Sequence, residues 1–274
     1  MQEGISYMAG AELPGLIVNV VRGGPGLGTI QPSQADYFQS TKGGGHGDYH
    51  AIVLAPASVQ EMSDFVKTGF DLAFKYRTPV IIQSDGAIGQ MMEKVELFES
   101  IPRWTDEEIV KMSPWAVTGK TPGRKHNIIT SLNLVPELEE KLNLRLQEKY
   151  RAIEANEVQY EEINCEDAEY LFVAYGLSSR ICQKAIQLGR EKGIKLGLLR
   201  PITLYPFPSE ILLKLAGKVK GMLCIEMSAG QMVEDVRLAV ENKVKVSHYG
   251  RFGGIIPSPE EVLKVMINQI IGEK

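Results

Sequence analysis

The sequence predicts an α/β protein built on parallel sheets, and three observations point to that class. Its short candidate strands, such as Leu16–Val21 and Pro79–Ile82, are almost entirely apolar, whereas strands with one solvent-exposed face alternate apolar and polar residues. Segments with helical hydrophobic periodicity separate these strands. The 274 residues are 44% hydrophobic, which is enough for about two domains with cores of their own.

The first part, residues 1–95, alternates strands and a helix. Leu16–Val21 is predicted as a strand that ends at a glycine cluster, and Ala51–Ala55 as a second strand. Ser58–Glu61 has the form of a capping box, so a helix is expected to begin there and to stop before Pro79. Pro79–Ile82 follows as a third strand, which makes this part a parallel-sheet domain.

The middle part, residues 96–163, changes character. Residues 100–126 contain both tryptophans and show little periodicity, so an irregular arm is expected there. An amphipathic helix is predicted behind it, and its apolar stripe either packs within this chain or faces a partner subunit. The stripe consists of Val135, Leu138, Leu142, Leu146, Tyr150 and Ile153.

The last part, residues 164–274, reads as four β-α units in a row, which predicts a doubly wound domain. Its helices are expected to begin at Ser178 or Ser179, at Pro208, near Met232 and at Pro257. Its strands are predicted at Tyr170–Tyr175, Lys195–Leu199, Gly221–Glu226 and Val244–Val246.

Charge and cysteine usage narrow the class of protein. A net charge of −4 argues against nucleic-acid binding, which needs clustered Lys and Arg. Cys165, Cys182 and Cys224 lie far apart and are predicted to be reduced thiols. No apolar run approaches the roughly 20 residues of a membrane helix, and the first residues lack secretory-signal character. We therefore expect a soluble, cytoplasmic protein.

A first glycine cluster, Arg22–Gly28, directly follows a predicted strand. In open α/β sheets ligands bind outside the carboxyl ends of the strands. Arg22 and exposed backbone N–H groups would suit a carboxylate there, although a tight turn with a solvent-exposed Arg remains open. The cluster does not match G-x-G-x-x-G, so a dinucleotide site is disfavoured.

A second cluster, Lys42–His50, belongs to a long glycine-rich loop. His46 and Asp48 could transfer a proton or orient a substrate, or they could be surface residues of a mobile loop.

Asp85 and Glu226 each stand at the end of a predicted strand, which fits either a site carboxylate or the start of a helix. His248 and Arg251 are predicted mainly as interface or turn residues, and metal binding by the loop is disfavoured.

Six segments of the sequence occur together, in this order, in one family of enzymes: Gln2–Tyr7, Ile17–Gly26, Gly43–Tyr49, Leu54–Glu61, Glu226–Arg237 and Tyr249–Gly254. With them the chain resembles the α subunit of 2-oxoacid:ferredoxin oxidoreductases, nearest the 2-oxoisovalerate (branched-chain) type. The resemblance implies a thiamine-diphosphate pyrimidine-binding-like parallel-sheet domain, present in part, and a second domain like the transketolase C-terminal domain. It also implies oxidative decarboxylation of a 2-oxoacid to an acyl-CoA, with electrons passed to ferredoxin.

The resemblance assigns the substrate carboxylate to Arg22. The substrate pocket would then be lined by Gly23, Gly24, Gln31, His46 and Asp48. Thiamine diphosphate would be shared with a β subunit, while Mg²⁺ and [4Fe–4S] clusters would lie on partner subunits. The implied partners are β, γ and ferredoxin-like δ subunits, ferredoxin and CoA, with no nucleic acid and no membrane.

The chain also departs from that family. Members carry a segment before the equivalent of Gln2, with a Tyr-Pro-Ile-Thr-Pro motif and the glutamate that activates thiamine diphosphate, and neither is in this sequence. We therefore expect the isolated chain to be inactive, with a non-catalytic scaffold or remnant as the alternative. An open sheet edge is also expected to promote self-association, which a clean monomer in size exclusion would contradict.

Overall fold

Two sheets organise the chain in the computed structural model, which describes residues 1–99, 103–119, 123 and 126–272. The first sheet has four strands in the order β1-β3-β2-β7, and the second has five in the order β4-β6-β5-β8-β9. Helices cover both faces of the second sheet, so the predicted α/β class with a doubly wound second domain is confirmed. Each sheet also gains one antiparallel strand that the apolar-run pattern did not predict.

The first part folds close to the predicted positions. Strands β1, β2 and β3 run parallel with β3 in the centre, where all seven of its residues are buried. That burial on both faces explains why residues Pro79–Ile82 are apolar without alternation. The elements are α1 (Gln2–Gly10), β1 (Gly15–Val21), α2 (Tyr37–Thr41), β2 (Ile52–Leu54), α3 (Val59–Tyr76) and β3 (Pro79–Asp85).

Only half of the predicted capping box forms at the start of α3. The Ser58 side chain accepts a hydrogen bond from the Glu61 N–H, as expected. The Glu61 carboxylate instead accepts from the Ala57 N–H and forms an ion pair with Arg200 of the last part. The charge on the distant Arg200 therefore redirects Glu61 from its local partner.

The middle part contains α4 (Asp106–Met112) and α5 (Pro136–Asn156). The predicted irregular arm lies partly outside the described residues, and its described portion includes α4, which begins at a complete capping box on Thr105. Four residues of the α5 stripe are buried in the core of the first sheet, while Val135 and Leu138 are about half exposed. The stripe therefore packs within this chain.

The last part supplies most of the second sheet, where two predicted positions shift and one strand was not predicted. α6 begins at Gly176, so Ser178 and Ser179 are buried inside the helix. β9 lies at 246–250, later than the predicted strand, and β4 comes from the middle part. The elements are β4 (Tyr160–Ile163), β5 (Tyr170–Val173), α6 (Gly176–Glu191), β6 (Leu196–Pro201), β7 (Thr203–Tyr205), α7 (Ser209–Ala216), β8 (Gly221–Glu226), α8 (Met232–Val240), β9 (Val246–Gly250) and α9 (Pro259–Met266).

The two sheets share one hydrophobic core. Val53 and Ile81 of the first sheet belong to the same buried cluster as Leu171 and Leu199 of the second. β7 strengthens this link, because it leaves the last part of the chain to pair with β2. The predicted division of the chain at residues 95 and 163 stays a proposal. Two strands cross it, because β7 pairs in the first sheet and β4 in the second.

The β1 edge of the first sheet is open. Among the described residues β1 pairs only with β3, and Val18 and Val20 are 48% and 47% exposed along it. Such an edge offers unpaired backbone groups to another strand, so self-association stays a prediction. In the part of the chain that the structure describes, no helix is both long and apolar enough to cross a membrane.

Candidate functional site

The candidate site lies at the carboxyl edge of the first sheet. β1 and β3 end side by side there, with Val21 paired to Asp85, and the Gly86 N–H donates to the Val21 carbonyl at 3.0 Å. The chain leaving β1 forms the loop of residues 22–32 directly above this point. The topology thus places Arg22 where parallel sheets present their ligands.

Backbone hydrogen bonds close the loop on itself. The Gly23 N–H donates to the Gln31 carbonyl at 2.9 Å, and the Thr29 N–H donates to the Gly23 carbonyl at 2.8 Å. A Cβ on Gly28 would lie 1.9 Å from the Gly23 carbonyl oxygen, and its φ of +50° also favours glycine. The glycine cluster therefore builds a tight, closed loop.

The Arg22 guanidinium is fixed by this loop but keeps free donors. Its Nη1 donates to the carbonyls of Leu27 and Thr29, the latter at 3.2 Å. The side chain is exposed, and no carboxylate pairs with it anywhere in the described ranges. Because a guanidinium carries five N–H donors in a planar fork, Nε and Nη2 remain for a bidentate carboxylate.

A segment of the second domain closes on the same loop. A Cβ on Gly23 would lie 3.0 Å from both the Gly253 carbonyl carbon and the Gly254 nitrogen. A Cβ on Gly254 would lie 2.3 Å from the Gln31 Cβ. The structure thus brings Arg22, Gly23 and Gln31 together with the segment Tyr249–Gly254, whereas Gly24 stays exposed on the outer side of the loop.

His46 and Asp48 lie in another part of the loop region. The His46 carbonyl accepts a hydrogen bond from Ser6 Oγ of α1, and both side chains are exposed. No hydrogen bond or ion pair between described residues joins either side chain to Arg22 or Gln31. A role of His46 and Asp48 in the substrate pocket therefore stays a prediction. In the described ranges, no group of three or more His, Cys, Asp or Glu residues is arranged to hold a metal ion.

Sequence reasoning missed Gln34, which connects the loop to the second domain. Its Nε2 donates to the Tyr175 carbonyl at 2.9 Å, and its Oε1 accepts from Ser178 Oγ at 2.7 Å and from the Met227 N–H at 2.9 Å. The side chain is almost completely buried. A glutamine in a glycine-rich loop carries no pattern that would have revealed this contact.

Both strand-end carboxylates accept backbone hydrogen bonds from residues that follow them. Asp85 Oδ1 accepts from the N–H groups of Ala87 and Ile88, at 2.9 Å and 3.1 Å, in the short turn after β3, and burial raises the pKa of this carboxyl group. Glu226 accepts from the N–H groups of Gln231, Met232 and Val233 at the start of α8. Negative charge at a helix N-terminus is stabilised by the free N–H groups, so the helix-start alternative is favoured for Glu226.

His248 and Arg251 are tied into the second domain. His248 lies inside β9, and its Nε2 is 3.7 Å from Glu226 Oε1. Burial lowers the pKa of His248, while the charge of Glu226 acts in the opposite direction. Arg251 pairs with Glu261 of α9. The expectation of a turn was therefore wrong for His248, because the strand starts later than predicted, whereas an interface role for either residue stays a prediction.

Two family models match this combination of sheets and loop. The model described as "Pyruvate flavodoxin/ferredoxin oxidoreductase, thiamine diP-bdg" matches residues 1–142, and "Pyruvate:ferredoxin oxidoreductase core domain II" matches residues 168–262. The chain is thus a subunit of the class of oxidoreductases that bind thiamine diphosphate. The chain belongs to the family of pyruvate flavodoxin/ferredoxin oxidoreductases, and the predicted membership is confirmed.

Individual relatives support the same family membership. The chain is 50% identical over 275 residues to the ketoisovalerate oxidoreductase subunit VorB of Methanothermobacter marburgensis, covering 99% of this chain and 75% of that protein. It is 37% identical to the 2-oxoglutarate synthase subunit KorA of Methanocaldococcus jannaschii, over 97% of this chain and 77% of that protein. The prediction that the chain is a subunit of a 2-oxoacid oxidoreductase is confirmed.

One solved structure gives the same result. The 2-oxoglutarate:ferredoxin oxidoreductase from Magnetococcus marinus, with 2-oxoglutarate, coenzyme A and succinyl-CoA bound, superposes with a TM-score of 0.78 at 26% identity. The match covers 96% of this chain and 50% of that chain. This chain therefore spans half the length of the chain it resembles in three dimensions.

Proposed function

We propose that this chain is the α subunit of a thiamine-diphosphate-dependent 2-oxoacid:ferredoxin oxidoreductase. The complex would oxidatively decarboxylate a 2-oxoacid of the 2-oxoisovalerate type to an acyl-CoA and pass the electrons to ferredoxin. The ketoisovalerate name of the VorB relative supports this choice of substrate. The observation that carries the proposal is Arg22, an exposed guanidinium without a carboxylate partner among the described residues, fixed at the ligand-binding edge of the sheet.

Arg22 would bind and orient the substrate carboxylate. Two loop carbonyls hold one side of the guanidinium, so the remaining N–H groups point in a set direction and lose little freedom on binding. Charge-assisted, bidentate hydrogen bonds of this kind are about twice as strong as neutral ones. Because the substrate carries this carboxylate both before and during the reaction, the contact is expected to act mainly on KM.

The described residues at this edge fit the anionic substrate better than the cofactor ring. Thiamine diphosphate, when bound, supplies the carbanion and the electron sink for decarboxylation. Asp85 Oδ1 already accepts hydrogen bonds from two backbone N–H groups of the turn that follows β3, so we give this residue a structural role. We therefore assign the substrate to Arg22 and no cofactor contact to a named residue.

The remaining assignments belong to the same proposal. The chain would assemble with β, γ and ferredoxin-like δ subunits in the cytoplasm, with Mg²⁺ and [4Fe–4S] clusters held by those partners. The names of the relatives are those of oxidoreductase or synthase subunits, so the alternative of a non-catalytic scaffold has no support among them.

The test is Arg22→Ala in the assembled complex, with ketoacid-dependent reduction of a viologen dye as the assay. Losing a charge-assisted pair is expected to raise KM for the 2-oxoacid about 10- to 100-fold, with kcat and KM for CoA little changed. Arg22→Lys should give an intermediate KM, because it keeps the charge but loses the fork.

Arg151→Ala is the matched control, since Arg151 is an exposed arginine on α5. It should leave all three parameters at their wild-type values. An unchanged KM in Arg22→Ala would refute the carboxylate role.

A further inference from the structure

We propose that Gly254, a residue of the second domain, is a positioning residue that sets the direction of the Arg22 guanidinium. The inference rests on the proposed substrate role of Arg22 and extends it across the domain boundary. Gly254 does not need to touch the substrate. It acts by leaving room for the loop that holds Arg22.

The backbone of Gly254 lies directly against the side chains of Thr29 and Gln31 in the loop that follows β1. A Cβ on Gly254 would lie 2.3 Å from Gln31 Cβ and 3.0 Å from Thr29 Cγ2. Both neighbours are anchored close to their own backbone, so neither can swing aside as the end of a long side chain could. The φ of Gly254 is +94°, a conformation that side-chain-bearing residues rarely adopt.

Thr29 and Gln31 belong to the loop that holds Arg22, in which Thr29 and Leu27 supply the carbonyls that contact the guanidinium. The Thr29 carbonyl accepts from Arg22 Nη1 at 3.2 Å, and the Gln31 carbonyl accepts from the Gly23 N–H at 2.9 Å. Displacing this pair moves the carbonyl that orients the guanidinium. A shift of about 1 Å at a binding group can cost a large factor in productive binding.

The second domain holds its side of the contact firmly. Tyr249 Oη and Arg251 Nη1 both donate to the carboxylate of Glu261, in the first turn of α9. The same carboxylate accepts from the Ser258 N–H, which completes a capping box. Because two side chains and a helix start converge on Glu261, the segment that ends at Gly254 is a fixed surface and the loop is what must yield.

Gly253 offers a matched control for Gly254. Its φ of +68° makes an alanine strained there too, but a Cβ would meet no atom within 4 Å. Comparing Gly254→Ala with Gly253→Ala in the assembled complex therefore separates the contact with the loop from backbone strain. In the dye-reduction assay, Gly254→Ala is expected to raise KM for the 2-oxoacid about 10-fold with kcat within about twofold, while Gly253→Ala stays near wild type.

A double variant tests whether Gly254 acts through Arg22. If it does, adding Gly254→Ala to Arg22→Ala raises KM no further, because the group being positioned is already gone. A KM that rises by the product of the two single effects would overturn the inference. Equal effects of Gly254→Ala and Gly253→Ala would overturn it as well.

The outcome also distinguishes this inference from the proposed function. If Arg22→Ala leaves KM unchanged, the substrate role fails and this inference fails with it. If Arg22→Ala raises KM and Gly254→Ala does not, only the positioning role is refuted.

Arg251→Met provides a second variant that loosens the segment without adding a clash. It should raise KM for the 2-oxoacid by a smaller factor, about two- to fivefold, with KM for CoA unchanged. Should Gly254→Ala not assemble, this variant decides: an unchanged KM in Arg251→Met would refute the positioning role.

Discussion

At the scale of single residues, chemistry was easier to predict than contacts. Arg22 could be chosen from the sequence, because a guanidinium that follows a buried strand stands at the ligand edge of a parallel sheet. Its two carbonyl partners could not, since they depend on how the glycines close the loop. Gly254 and Gln34 could not either, because their neighbours lie more than a hundred residues away in the chain.

The environment of His248 leads us to expect that the free energy of unfolding falls as the solution becomes acidic. Burial holds its pKa below the ordinary value, with Arg237 acting in the same direction and Glu226 against it. As the pH falls through about 6.5 the unfolded chain takes up a proton that the folded chain does not, so the free energy of unfolding decreases. His248→Gln should therefore lose less stability than wild type between about pH 7 and pH 5 in urea unfolding.

The comparison of the two stability curves decides this prediction. If His248→Gln and wild type lose stability in parallel, His248 does not carry the effect.

At the scale of elements, periodicity located most helices and strands, but α1, α2 and α4 were not predicted, and α2 lies within the stretch that was expected to be a loop. α6 begins at Gly176 because the positive φ of that glycine turns the chain before the two serines, which are then buried. β4 and β7 were missed because they are three or four residues long and gain their stability only by pairing. Local patterns cannot report a partner strand that is distant in sequence.

The α5 helix gives a paired prediction from neighbouring leucines. Leu146 is 4% exposed and packs in the core of the first sheet, whereas Leu144 is 59% exposed. Leu146→Ala removes buried apolar contacts and leaves a cavity, so it should lower the free energy of unfolding by about 2–5 kcal/mol. Leu144→Ala should change it by less than about 0.5 kcal/mol.

Chemical denaturation followed by circular dichroism measures both variants. Equal effects would mean that α5 does not pack on the first sheet as described. A large effect of Leu144→Ala confined to the assembled complex would instead place a partner subunit on the outer face of the helix.

At the scale of the whole molecule, the two domains are joined by more than a linker. Arg200 of β6 is buried and pairs with Glu61 of α3, and Tyr37 Oη donates to Asp235 at 2.5 Å. β7 and the shared core add to this connection. Two α/β blocks were predictable from the order of elements, but their common core was not, because it depends on which faces meet.

This shared core predicts that the chain unfolds in one transition. Both tryptophans lie in the middle segment, and the Trp115 ring stacks under the guanidinium of Arg77, at the end of α3. Tryptophan fluorescence therefore reports on the first domain, whereas far-UV circular dichroism reports on both. Coincident thermal transitions by the two probes are expected for a single cooperative unit.

A substitution in the second domain makes that test sharper. Arg200→Met removes the partner of Glu61 and Glu161, whose side chains are both partly exposed, so it should cost about 1–3 kcal/mol and lower Tm by roughly 2–4 °C for each kcal/mol. Because the domains are coupled, the fluorescence transition should shift as far as the dichroism transition. Lys220→Met is the control, since the Lys220–Glu169 pair is exposed and contributes little. A fluorescence midpoint that stays in place while the dichroism curve splits would show that the two domains unfold independently.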